Sequence, residues 1–371
     1  MTRDICVVVP TVREHECVRA YAENAREHGF DLDRLQFVLV TEDRCETDAM
    51  ARLLDEEGLS GEVFDGSARE RWYRQQGIAE YEHVVPAASH AETSFGLLYL
   101  WAGDFEYGVF IDDDTLPHPD CDFFGRHLRN LAFEGEVTSV RSDERWVNDD
   151  VVASQGLWTN VPDLDAVRIL MDGDLQGQAR TRLDADDYGE DFVAAEGQYL
   201  TVCSMNLAFR REVVPAFYQL PMDDNPWDVG RFDDIWSGVF LKRACDVLGK
   251  QVYNGAPLCE HNKAPRSTFG DLTNEVPGLE LNEHVWEIVD SVEPAVPRAN
   301  RTVEPSDEAG ADADSYASVY RAMADAMVAA DRDYENAEFL AYVGEHMHDW
   351  LDALGEIRPG VGTAERAPAD D

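Results

Sequence analysis

Three short apolar runs constrain this chain more than any other feature. Ile5 to Val9, Phe37 to Val40 and Tyr107 to Ile111 are nearly unbroken hydrophobic stretches, each too short for a helix. A strand that is apolar at consecutive positions must be buried on both faces, as in a parallel sheet covered by helices. Pro10 ends the first run. Between the runs, Val18, Tyr21, Ala22 and Ala25 follow helical spacing with Gly29 as a stop, and Gly96 to Trp101 reads as a second helix. This alternation predicts an α/β fold with a mostly parallel central sheet. A further strand is expected over Tyr199 to Phe209 and a helix over Trp236 to Leu248. The patterns GxGxxG and GxxxxGK[ST] do not occur, so the usual phosphate cradles are not predicted.

From Ser291 to Asp314 the composition changes, with Pro294, Pro297 and Pro305 among Glu, Asp and Ala. Beyond it, Tyr316, Val319, Tyr320, Met323 and Met327 fall on one helical stripe. Phe339, Val343, Met347, Trp350 and Leu354 fall on another. The expected organisation is a catalytic domain over 1–290, an acidic linker over 291–314, a helical hairpin over 315–357 and a disordered tail over 358–371.

Charge narrows the function classes. The 371 residues carry 31 Lys and Arg against 75 Asp and Glu, a formal net charge of −44. The only lysines are Lys242, Lys250 and Lys263. So few cations cannot form a basic nucleic-acid face. Acids spread along the whole chain, with lysine nearly absent, suit a salt-adapted surface that self-repels when salt is removed. The seven cysteines are odd in number and contain no CxxC pair, which predicts reduced thiols in a cytoplasmic protein. No signal peptide is expected, and no apolar run reaches the ~18 residues of a membrane span.

Three constellations have residues suited to chemistry. Asp112, Asp113 and Asp114 follow directly on the run Tyr107 to Ile111. In open α/β sheets ligands bind beyond the carboxyl ends of strands. If the stretch stays extended, Asp112 and Asp114 point together and Asp113 opposes them. Two hard carboxylates on one side suit Mg²⁺ or Mn²⁺ bridging to a nucleotide diphosphate. In a chain this acidic, a run of Asp alone says little; its place after a buried strand gives it weight. The second constellation is Arg231-Phe232-Asp233-Asp234-Ile235-Trp236, in which Asp233 and Asp234 stand before a helix, where acids either cap it or serve as pocket acids that orient sugar hydroxyls or act as a base. The third is His261-Asn262-Lys263, in which a His can complete a carboxylate metal site and a Lys can contact diphosphate oxygens. Trp158, Trp227 and Trp236 are read either as walls stacking on a sugar or as buried core.

With these residues in view, the chain resembles the reversibly glycosylated polypeptide family, which includes the plant UDP-arabinopyranose mutases. The resemblance opens at Val8-Val9-Pro10-Thr11-Val12-Arg13 and continues through Ile111-Asp112-Asp113-Asp114. It is strongest over Ser154-Gln155-Gly156-Leu157-Trp158-Thr159-Asn160-Val161-Pro162-Asp163-Leu164-Asp165-Ala166. Cys203-Ser204-Met205-Asn206-Leu207-Ala208-Phe209, Gly230 to Gly238, and Gly255-Ala256-Pro257 leading to His261-Asn262-Lys263-Ala264 complete it, in family order. It implies a GT-A-like nucleotide-sugar fold, a divalent metal (Mn²⁺ or Mg²⁺) and a UDP-sugar. By the same resemblance, Asp112, Asp114 and His261 are metal ligands. Pro10, Thr11, Arg13, Glu42, Asp43, Asp113, Trp158, Asn206 and Lys263 are nucleotide or substrate contacts. Arg141 and Arg145 stand before Ser154, where the family has two arginines, at a shorter spacing.

The first function this implies is a metal-dependent UDP-sugar mutase interconverting pyranose and furanose rings, with Arg141 or Arg145, Asp233 and Asp234 as catalytic groups. A glycosyltransferase acting on a glycan or protein acceptor would use the same metal and donor. A UDP-sugar-binding or self-glycosylating subunit is the third reading, with the helical hairpin as a module for homo- or hetero-oligomers. A metal-dependent hydrolase is the remaining alternative.

Overall fold

The structure, a computed structural model, describes residues 3–12, 16–87, 89–136, 138–139, 145–146, 151–223, 225–293, 315–330, 333 and 335–358. The strands in chain order are β1 (Ile5–Pro10), β2 (Leu35–Val40), β3 (Gly61–Phe64), β4 (Tyr107–Ile111), β5 (Thr115–Pro117), β6 (Gly135–Glu136), β7 (Thr138–Ser139), β8 (Arg145–Trp146), β9 (Val151–Asn160), β10 (Phe192–Val193), β11 (Asn206–Arg210) and β12 (Gln251–His261). The helices are α1 (Glu16–Glu27), α2 (Thr47–Glu56), α3 (Gly66–Gln76), α4 (Thr93–Ala102), α5 (Phe123–Leu131), α6 (Ala166–Met171), α7 (Asp233–Leu248), α8 (Thr268–Asp290), α9 (Tyr316–Val328) and α10 (Glu338–Glu356).

The central sheet runs β3-β2-β1-β4-β11-β9-β12-β10-β7, with β5 pairing β12. Its first four strands are parallel, as the apolar runs predict. Beyond β4 the sheet is mixed: β11 lies antiparallel to both β4 and β9, while β9 and β12 are parallel. This is the α/β arrangement with a mostly parallel central sheet that the sequence predicts. The strand expected over Tyr199 to Phe209 forms only from Asn206 onward. There β11 finds ladder partners on both sides, and the residues before it lie outside the sheet.

Strand alternation sorts β1 between two apolar cores. Ile5, Val7 and Val9 pack with Tyr21, Phe123 and Phe124 on one face. Cys6 and Val8 pack with Phe95 and Leu98 of α4 on the other. Gly96 lets α4 lie flush on the sheet, because a Cβ there would stand 2.3 Å from Val8 Cγ1.

The two C-terminal helices pack on each other and on the same core as α4 and α7. Trp350 is fully buried and stacks on Tyr218 with ring centroids 4.7 Å apart. Their stripes are therefore covered within the chain itself. Most of the proline-containing stretch, 294–314, and the end from 359 onward lie outside the described residues. The described cysteines are free thiols. Among the described residues no helix is long and apolar enough to cross a membrane.

Candidate active site at the carboxyl ends of the strands

A cleft of about 480 Å³ opens where β1, β2, β4 and β12 end. Of the residues expected to act, it gathers Pro10, Thr11, Glu42, Asp112, Asp113, Asp114, Asp233, Asp234, His261 and Lys263.

The Asp cluster is shaped by a turn. After Ile111 the chain leaves the extended form, and Thr115 closes back on Asp112: its backbone N–H lies 3.2 Å from the Asp112 carbonyl and its Oγ1 2.8 Å. Thr115 thus donates its hydroxyl proton to that carbonyl, so the Tyr21 hydroxyl, 2.9 Å away, is the donor to Thr115 Oγ1. Helix α1 in this way pins the turn. The expected opposition of Asp113 to its neighbours does not hold, because the period-two rule applies only while the backbone stays extended. Each of the three carboxylates offers an oxygen within 4.8 Å of the others. Thr11 Oγ1 donates to Asp113 Oδ2 at 3.0 Å. Burial, with Asp114 and Asp113 close by, raises the Asp112 carboxyl to about 7.

His261 ends β12 and is buried. Its Nδ1 lies 2.9 Å from the Val161 carbonyl, which can only accept, so Nδ1 carries the proton. Nε2 then faces Asp114 Oδ1, 3.7 Å away and too far for a hydrogen bond. Asp114 Oδ1 is itself buried without a hydrogen-bond partner. A cluster of carboxylate oxygens, an imidazole lone pair and an orphaned buried oxygen is a donor set that fits a hard divalent cation.

Two further acids sit beyond the cluster. Asp163 pairs with Lys263, Oδ1 to Nζ 3.2 Å. Burial disfavours charge on Asp163, but Lys263, His261 and Arg266 outweigh it and hold the carboxyl below its ordinary value. Asp234 lies in the first turn of α7 and accepts from the Ile235 N–H at 2.8 Å. Burial first, then Asp233 and Asp163, raise it to about 8. These neighbours favour the protonated acid, against a helix N-terminus that favours the carboxylate.

Other expected contacts lie elsewhere. Asp43 accepts from the Ser67 N–H at 3.3 Å and serves the start of α3. Asn206 is fully buried in the sheet: it donates to the carbonyls of Leu157 (2.8 Å) and Pro257 (3.0 Å), and its Oδ1 faces His127 Nε2 at 2.9 Å. Gly156 leaves room for that amide, since a Cβ there would meet Asn206 Oδ1 at 2.2 Å. Trp158 stands on β9 outside the cleft lining, its carbonyl accepting from the Tyr188 hydroxyl. Trp236 is fully buried and donates to Asn282 Oδ1, while Trp227 packs on Phe339 and Tyr342. The tryptophans are core or periphery because the apolar elements around them claim their rings. Arg13 and Arg141 lie outside the described residues; Arg145 is placed by its backbone in β8.

The cleft also holds residues that sequence reasoning missed, among them Asp163, Arg231, Ser89, Thr93 and Gln219. Asp163 and Arg231 lay within the segments that resemble the family, but an Asp among so many acids gives no signal of its own. Ser89, Thr93 and Gln219 reach the cleft only through tertiary packing, with Ser94 Oγ and the Gln219 backbone bonded at 2.9 and 3.0 Å.

Known proteins bear on this geometry. The family described as reversibly glycosylated polypeptide matches residues 144–338, just over half of the chain. The probable UDP-arabinopyranose mutase 1 of Pisum sativum is 34% identical over 175 residues, 46% of this chain and 45% of its own length. UDP-arabinopyranose mutase 3 of Arabidopsis thaliana is 30% identical over 255 residues, 68% of this chain and 59% of its own length. The chain thus spans about half the length of the curated relatives it matches. Among solved structures, a mannosyltransferase from Pyrobaculum calidifontis in complex with GDP-Man and Mn²⁺ aligns over 95% of this chain and 85% of that one, at 14% identity and a TM-score of 0.41. By the extent of the family match, the chain belongs to the reversibly glycosylated polypeptide family.

Proposed function

We propose that the chain is a metal-dependent UDP-sugar mutase that interconverts the pyranose and furanose forms of its sugar. The observation that carries this reading is the Asp112–Asp114 cluster facing Nε2 of His261 in a cleft of nucleotide-sugar size, in a family whose relatives are named for that reaction. Asp112, Asp114 and His261 would hold Mn²⁺ or Mg²⁺, which when bound supplies charge to stabilise a departing diphosphate. The chain's own groups do the rest. The Val161 carbonyl keeps the His261 proton on Nδ1 and so keeps Nε2 available. Thr11 orients Asp113. Asp234, whose burial beside Asp233 and Asp163 favours the protonated acid, can lend that proton to a sugar oxygen while the ring opens and recloses and take it back afterwards. Asp163 and Lys263, both lining the cleft, pair with each other.

The test is chromatography of a UDP-sugar panel, including both arabinose ring forms, after incubation in molar KCl with Mn²⁺. High salt is used because a net charge of −44 self-repels in its absence. Metal-dependent exchange of ring forms, abolished by chelator and by Asp112→Asn, is expected. A product that forms only when an acceptor is added would move the reading to a glycosyltransferase. Unchanged ring forms in protein that binds UDP would overturn the mutase reading for that panel.

A further inference from the structure

We propose that Arg231 is the cleft's diphosphate clamp, the side chain that grips the distal phosphate of a bound nucleotide; this rests on the nucleotide-sugar reading of the site. Three observations converge on it. The first is backbone strain. Arg231 has φ +68°, in the left-handed region that favours glycine, and Asp228 shortly before it has φ +52°. The loop is forced into this shape by Asn225. Its Nδ2 donates to the carbonyls of Met222 (2.8 Å) and Val229 (2.7 Å), and its Oδ1 accepts from the N–H groups of Trp227 (3.1 Å) and Val229 (3.2 Å). A strained position filled by arginine, where glycine would cost less, points to a use for the side chain.

The second observation is charge. Among the described residues lining the cleft, Arg44 pairs with Glu42, Lys263 with Asp163 at 3.2 Å, and Arg266 with Asp271 at 2.7 Å. Arg231 is half-buried and lines the same cleft, and among the described residues no hydrogen bond or ion pair holds its guanidinium. Its charge is felt at Asp234 and Glu275 only through space. It therefore secures nothing in the fold that would offset the strain. The third observation is Gln219, at the start of the same loop. It is 1% exposed, it lines the cleft, and its Nε2 is buried with no acceptor. Two donors without acceptors, in a cleft otherwise rich in carboxylates, call for a ligand bearing oxygens. A planar guanidinium fork matches phosphate oxygens two at a time, which a sugar hydroxyl does not exploit.

The experiment is calorimetric titration of Mn²⁺ with UDP, and separately with UMP, into wild type, Arg231→Gly and Arg231→Lys in molar KCl, with thermal melts of each. Arg231→Gly removes the guanidinium and relieves the backbone together. Its melting temperature should not fall, its affinity for UDP should drop about tenfold or more, and its affinity for UMP should change by less than about threefold. Arg231→Lys should recover part of the UDP affinity, since it keeps the charge and loses the fork. Arg231→Gly binding UDP like wild type would overturn the clamp. So would a lower melting temperature with UDP and UMP weakened alike, which would mark a structural residue. Wild type that binds neither nucleotide would instead bring down the nucleotide reading, and the clamp with it.

Discussion

The cleft has two acidic ends, and they differ in what holds them. At the β4 end, three carboxylates crowd one turn, and among the described residues the His261 imidazole faces them with its Nε2 3.7 Å from Asp114 Oδ1. At the α7 end, Asp233 and Asp234 line the cleft with a paired Asp163–Lys263 and with Arg231, which has no ion-pair partner among the described residues. Both ends contain an Asp raised toward neutrality by burial and by like charges. Among the described residues only the first also has an orphaned carboxylate oxygen facing an imidazole nitrogen. The lesson is that acidity alone does not make a metal site; unmet lone pairs held at mutual distance do.

The comparison can be broken first at the β4 end. Asp112→Asn should lower turnover about 10²–10³-fold or more and remove the metal dependence of UDP binding, whereas Asp233→Asn should leave metal binding in place. Steady-state kinetics with a metal titration would show this, and equal loss of metal affinity in both variants would erase the distinction. Next in size is a control outside both ends. Asn206→Ala should cost about 2–3 kcal/mol of stability, because two carbonyls and His127 lose a buried partner, while the metal affinity of the folded protein stays near wild type. Denaturant melts with and without Mn²⁺ measure both.

Titration separates the ends more finely. In the metal-free protein, the folded state keeps protons on Asp112 and Asp234 that the unfolded chain releases near the ordinary value of 3.8. Raising the pH from about 4 to about 8 therefore drains the stability these groups contribute. Asp234→Asn should flatten that decline and melt higher than wild type at pH 8, with little difference at pH 4. Saturating Mn²⁺ should flatten only the share due to Asp112, since the metal displaces that proton and leaves the one on Asp234. For the same reason, metal affinity should rise with pH through about 7 and binding should release protons, detectable as buffer-dependent heats. Lys263→Met is the smallest expected change, about 1–2 kcal/mol, because Asp163 is partly open to solvent and screened. A larger loss would mean the pair holds the two ends together.

Much of the parallel half of the sheet was legible in the sequence. The runs Ile5 to Val9, Phe37 to Val40 and Tyr107 to Ile111 are apolar at every step because both faces of those strands are buried, and their order alone implies the parallel β1, β2 and β4. The edge strand β3 escaped notice, since Gly61 to Phe64 is short and only half-buried. The short reach of β11 was not legible either, because its ends are set by ladder partners on β4 and β9.

The site divides along the same line. The sequence by itself determined the Asp cluster at a strand end, the His261 and Lys263 segment, and the acids at the start of α7, because each is contiguous and sits at an element boundary. Only the tertiary structure decided that Asp113 joins its neighbours, that Asn206 and Trp236 belong to the core, and that Gln219 and Arg231 face the cleft. The physical reason is that element boundaries follow from local backbone preference and hydrophobic period, which are written in adjacent residues. Which side chain is left with an unmet donor or lone pair depends on every group packed around it, drawn from distant parts of the chain.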